Sequence, residues 1–150
     1  MLLVVAACGS SNGANPAEPR ADSLAVEDVA MRFAQAALAG DRATARSLTL
    51  SYDAVAQITK KADPKEWEEA LEDVLRTMER EGKESGGQVT RATIVERRTL
   101  TPGRDAHVLR EVAVAVISFE VRERDGRTHA SPFPWLFIRT DAGWRFSPKQ

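Results

Sequence analysis

The side chains able to do chemistry are few: one cysteine (Cys8), two histidines (His107 and His129) and one tyrosine (Tyr52) in 150 residues. A lone thiol excludes an internal disulfide and the multi-cysteine zinc sites, and a metal site built on two histidines is weakly supported; neither metal nor cofactor is expected. There is no Gly-rich phosphate loop, no Gly-x-Ser-x-Gly elbow and no His-Glu-x-x-His pair in the chain. One acid–base pair is conceivable, Glu120 with His129, on either side of an Asp125-Gly126 turn. A carboxylate and an imidazole within reach of one another can pass a proton. The competing reading is a solvated cluster with Arg122 near a hairpin tip. Lys and Arg number 21 against 22 Asp and Glu, a net charge of −1, so the electrostatic footprint of a nucleic-acid partner is missing. Arginines interleaved with glutamates through the second half read as a solvated sheet surface.

Cys8 offers a different chemistry. Met1 to Ala7 is an unbroken apolar run, too short to span a bilayer, which takes about 20 residues. It matches the end of a secretory h-region with small residues at the processing site. Val5-Ala6-Ala7-Cys8 resembles the bacterial lipobox, whose cysteine is lipidated and becomes the mature N-terminus. No basic n-region precedes the run, which a start site placed too far downstream accounts for. Residues 9–22 hold Gly, Ser, Asn and Pro and no large apolar side chain, so they cannot repay their ordering entropy and read as a disordered tether. The alternative, residues 1–8 as a buried strand, leaves that strand little to pack against. The resemblance implies acyl chains on Cys8, two or more of which hold a protein durably to a membrane. It implies a bacterial envelope location, facing the periplasm or the exterior.

The chain as a whole is 43% apolar and 29% charged, which suits one globular domain over residues 23–150. Val26, Val29, Ala30, Phe33 and Ala37 repeat at helical spacing, with Asp22 or Ser23 as the starting cap and Gly40 as the stop. Asp41 then caps a short helix through Leu48, and Tyr52, Val55, Ala56 and Ile58 predict a third. Asp63-Pro64-Lys65-Glu66 gives an N-cap, Pro at N1 and an acid at N3. Trp67, Ala70, Leu71, Val74, Leu75 and Met78 follow as one apolar stripe, a core face rather than a cofactor box. Glu72 with Arg76 and Glu79 with Lys83 are favourable i, i+4 pairs, and Gly82 is the expected terminator.

After Gly86-Gly87 the apolar period becomes two. Strands are expected over 88–99, 108–124, 127–140 and 144–147. Asp125-Gly126 is a strong hairpin signal. A two-residue loop there pairs 124 with 127, 122 with 129 and 120 with 131. In that register Pro132 and Pro134 oppose Phe119 and Ile117 at an exposed or bulged edge. The same register sorts the faces. One carries Ala113, Ala115, Ile117, Phe119 and Val121 with Leu136 and Ile138. The other carries Val114, Val116 and Glu120 with Phe137, Trp135, Phe133 and His129, making Val116, Phe133, Trp135 and Phe137 the candidate pocket or interface lining.

The order is thus helices first, then a meander: an α+β fold with N-terminal helices on a curved antiparallel sheet. Two segments carry a family resemblance: Phe33-Ala34-Gln35-Ala36-Ala37-Leu38-Ala39-Gly40-Asp41, and Trp135-Leu136-Phe137-Ile138-Arg139-Thr140-Asp141-Ala142-Gly143-Trp144-Arg145-Phe146. Residues 23–148 look like the nuclear-transport-factor-two-like superfamily (cystatin-like, ketosteroid-isomerase-like), and small lipid-anchored bacterial members are closest in style. The resemblance implies a cone-shaped fold that hosts enzymes and non-enzymes alike. The isomerase-type members need a proton-carrying acid with a Tyr and a protonated Asp at the oxyanion. Here the strand-region aspartates, Asp105, Asp125 and Asp141, fall in predicted turns. The expectation is therefore a lipid-anchored envelope module without catalytic activity, binding a small apolar ligand or an envelope protein. Pairing through the sheet into a homodimer and a pocket enzyme of cyclase, dehydratase or isomerase type are the alternatives.

Overall fold

The computed structural model describes residues 24–131 and 134–149. Cys8, residues 9–22, where a tether is expected, Pro132 and Phe133 lie outside the described residues. Four helices come first, α1 (Val26–Leu38), α2 (Arg42–Ser47), α3 (Tyr52–Ile58) and α4 (Pro64–Ser85). Five strands follow, β1 (Gln88–Leu100), β2 (Val112–Arg122), β3 (Thr128–Ala130), β4 (Trp135–Thr140) and β5 (Gly143–Ser147). The fold is α+β, with the helices packed on one open antiparallel sheet of order β1-β2-β4-β5, β3 pairing with β2.

The helix ends follow from their residues. Asp41 and Asp63 cap α2 and α4 by accepting backbone N–H groups at 3.1 Å and at 2.9 and 3.0 Å. α1 begins behind Ala25, which supplies no side-chain cap; the expected Asp22 and Ser23 are outside the described residues. Gly40, at φ +73°, closes α1: its N–H donates to Ala37 while that of Asp41 donates to Ala36 at 2.9 Å, the six-to-one bond of a Schellman turn. Gly82 does not stop α4. The helix runs one turn further, to Ser85, and ends at Gly86 with φ +62°. Gly82 instead lets α4 approach α1, since a Cβ there would lie 2.0 Å from the Leu38 carbonyl oxygen.

Arginines of α2 claim the acids of α4. Arg42 reaches Glu72 at 2.7 Å and Glu79 at 3.2 Å, while Arg46 reaches Glu68 at 2.6 Å and also Glu72. The expected Glu72–Arg76 pair is displaced by these partners, and Arg76 turns to Asp73 at 3.5 Å; Glu79–Lys83 forms as expected at 2.9 Å.

The helices cover the sheet unequally. Phe33, Ala34 and Ala37 of α1 join Leu71, Leu75 and Met78 of α4 and Ala115, Ile117, Phe119, Phe137 and Phe146 of the sheet in the larger core. Each large side chain there contributes about 1.5–3 kcal/mol by leaving water. Across the sheet, Val55 and Ile58 of α3 with Trp67 cover Val112, Val114, Val116, Leu136 and Ile138. The Trp67 indole N–H donates to the Leu50 carbonyl at 3.2 Å.

Two differences from the expected hairpin matter for function. Arg122 pairs with Thr128, Val121 with His129 and Glu120 with Ala130, so the loop holds Arg124, Asp125 and Gly126, three residues rather than two. The Asp125 carboxylate accepts the Arg127 backbone N–H at 2.9 Å. Only Gly126, φ +87°, takes the left-handed conformation, as three-residue hairpins require. Beyond β3 the register shifts again, for Ile117 pairs with Trp135 and Val116 with Leu136. Between Ala130 and Trp135 the pairing along β2 thus advances by two residues. Since a one-residue slip turns every side chain over, Trp135 and Phe137 belong with Ala115 and Ile117, and Val116 with Leu136 on the opposite face.

β2 is shorter than expected, starting at Val112, because residues before it are drawn toward α3. The Lys60 N–H donates to the His107 backbone carbonyl at 2.9 Å and that of Leu109 to the Ile58 carbonyl at 2.7 Å. β1 is an edge strand of 13 residues broken by irregularities at Val89/Arg91 and Ile94/Glu96. These leave Thr90 and Val95 without a facing partner, and Val95 is 58% exposed. Arg91, Glu96, Arg97 and Arg98 charge this edge.

Candidate functional site

α1 packs against the sheet, and α4 packs chiefly against α1. Beside α1, the space between α4 and the β2, β3 and β4 end of the sheet is a partly open cavity of about 520 Å³. Leu38, Val74 and Met78 from the helices and Val121, Trp135 and Phe146 from the sheet give it an apolar lining. Asp73, Glu81 and Glu84 of α4 and Glu123 at the end of β2 also line it, together with His129. Among the described lining residues there is no Lys or Arg.

Trp135 is the aromatic wall. It is half-buried, its indole N–H donates to the Ser131 hydroxyl at 3.2 Å, and its ring lies 5.8 Å from that of Phe119, 5.6 Å from Phe146 and 6.5 Å from Phe33. Such tilted packing with a bound N–H holds the indole in one orientation. Of the four lining residues expected from sequence, Trp135 alone is found there. Phe137 is fully buried under Phe33, edge to face with ring centroids 6.2 Å apart. Val116 is in the core across the sheet, and Phe133 is outside the described residues.

Glu120 and His129 do not meet. His129 faces Val121, and successive side chains alternate across a strand, so Glu120 points to the other face, where its carboxylate accepts the Thr90 hydroxyl at 2.8 Å. The acid that meets His129 is Glu123, 3.3 Å from the imidazole Nε2; Arg127 reaches the same carboxylate at 3.4 Å. Sequence reasoning missed Glu123 because the three-residue loop sets the pairing; its only sign was parity with Val121. The neighbouring Asp125 carboxyl is held below its ordinary value, chiefly by the Arg127 backbone N–H and then by the Arg127 guanidinium.

The other singled-out polar groups are structural. The Tyr52 hydroxyl donates to the Ala62 carbonyl at 3.2 Å. His107 is exposed, with φ +66° in the turn that meets α3. Among the described residues no three His, Cys, Asp or Glu side chains gather in a metal-holding group, and no helix is long and apolar enough to cross a membrane. The arrangement can hold an apolar body against Trp135 with carboxylates at the mouth. No family model, curated protein or solved structure matches the chain, so its functional reading stands on this geometry.

Proposed function

We propose that the chain is a lipid-anchored envelope module that binds a small apolar ligand between α4 and the sheet, without catalytic activity. The observation that carries the reading is the cavity of about 520 Å³ with an apolar floor and one fixed indole wall. That volume lies in the usual range for small-molecule pockets, roughly 300–1,000 Å³. Its carboxylates belong to an exposed helix flank or to an ion pair with Arg127, which suits holding a ligand more than reacting with it. The helices-then-meander order supports the nuclear-transport-factor-two-like resemblance, with the sheet curved as a cone around this pocket. Cys8 supplies the membrane attachment and residues 9–22 the tether that lets the domain stand off the lipid surface.

Titration with the neutral dye N-phenyl-1-naphthylamine tests the pocket: saturable fluorescence enhancement is expected, and a flat titration overturns the reading. Mass spectrometry of the N-terminus from the native host tests the anchor. A diacylated or triacylated Cys8 is expected, and an unmodified thiol on a chain that keeps Met1 removes it. Pairing through the sheet is checked by sedimentation over a range of concentrations.

A second reading rests on the Glu123–His129 contact at the cavity rim. A carboxylate that orients an imidazole is the core of an acid–base site, so a pocket enzyme of the dehydratase or isomerase type is the alternative. It requires a His129→Asn variant that keeps dye affinity and loses turnover.

A further inference from the structure

The lining of the cavity holds more acids than bases, and this points to the class of ligand. Four carboxylates line it and no Lys or Arg does, among the described residues. Two of the four already have cations: Asp73 has Arg76 at 3.5 Å, and Glu123 has Arg127 at 3.4 Å. Glu81 and Glu84 have no ion-pair partner among the described residues; the nearby Lys83 is taken by Glu79 at 2.9 Å.

Their position makes this costly. α4 ends at Ser85, so Glu84 falls in its last turn and Glu81 just before it. A helix C-terminus carries a partial negative charge and favours cations there. Two carboxylates at that end add to the helix dipole, and the single Arg124 guanidinium beside Gly86 offsets them only in part. Glu81 and Glu84 thus leave an excess of negative charge at the mouth, while Trp135 offers an apolar wall below it. An unbalanced negative mouth above an apolar floor is complementary to a molecule with a greasy body and one positive head.

We infer that the cavity selects small monocationic amphiphiles, an aliphatic amine or quaternary ammonium with its apolar part against Trp135 and its charge beside Glu81 and Glu84. This rests on the proposal that the cavity binds a small apolar ligand. The apolar part supplies affinity, and the carboxylates decide between charge types.

The test displaces N-phenyl-1-naphthylamine from the whole protein with octylammonium, octanol and octanoate, which share a chain and differ in charge. Octylammonium should compete on the order of tenfold better than octanol, and octanoate on the order of tenfold worse, the contrast shrinking as salt is added. A variant with Glu81→Gln and Glu84→Gln, both at exposed positions, should bring the three competitors within about threefold of one another, measured relative to its own dye affinity. Equal competition by all three, or a preference the double substitution leaves intact, overturns the charge inference while dye binding keeps the pocket. If the parent binds no dye, the pocket itself fails and the inference with it.

Discussion

The ring of Phe33 in α1 lies against that of Phe146 in β5, centroids 4.2 Å apart and planes inclined by 26°. Phe137 meets Phe33 edge-on, and Trp135 leans on both Phe33 and Phe146. The first helix and the last strand are thereby joined through one aromatic cluster, whose outermost ring is the cavity wall.

Replacing Phe33 by Ala removes the centre of that cluster at a fully buried position. A loss of about 3–5 kcal/mol is expected, measured as the urea midpoint. The dye site should weaken in the same variant, because Trp135 loses a ring it rests on.

Gly82→Ala is expected to destabilise even though alanine is the better helix former by about 1 kcal/mol. The added methyl would meet the Leu38 carbonyl at 2.0 Å, and overpacking against backbone costs roughly 1–3 kcal/mol. A lower urea midpoint checks this, and an unchanged or higher midpoint contradicts the close α1–α4 approach.

The α2–α4 ion pairs make an acid-sensitive contact. Hydrogen bonds from Arg42 and then Arg46 hold the Glu72 carboxyl below its ordinary value, and Lys83 followed by Arg42 does the same for Glu79. A group with a depressed folded pKa stabilises above its unfolded value, about 4.3 for Glu, and loses that contribution as pH falls through the folded value. Glu72→Gln should therefore lie below the parent at neutral pH and converge with it in acid. Urea midpoints measured across that range decide it, and parallel curves would remove Glu72 from the acid response.

Thr77 lines the cavity from an exposed position on α4. Thr77→Trp should fill the space and abolish dye binding while shifting stability by no more than about 0.5 kcal/mol, as surface substitutions do. Retained dye affinity would move the binding site elsewhere.

Helical periodicity and capping chemistry make α4 legible in the sequence, since Asp63, Pro64 and the Trp67–Met78 stripe are all local signals. The sheet faces were not legible, because they depend on register. Asp125-Gly126 marks a turn but leaves its length open, and the Asp125 bond to the Arg127 N–H selects the longer loop. That one residue exchanges Glu120 for Glu123 beside His129, and the second register shift, ahead of Trp135, pairs Trp135 with Ile117 instead of Val116. Gly82 was misleading for a related reason. A glycine permits either a helix end or a close approach between helices, and only the position of Leu38 tells which.

The two kinks in β1 have a consequence at high local density. A neighbouring chain that tried to add a strand along this margin would meet the hydrogen-bond ladder interrupted twice, at Thr90 and at Val95, with arginines between and beyond. Many copies can therefore stand shoulder to shoulder without zipping into a continuous ribbon, and the exposed valine marks a break in the template instead of a sticky seam.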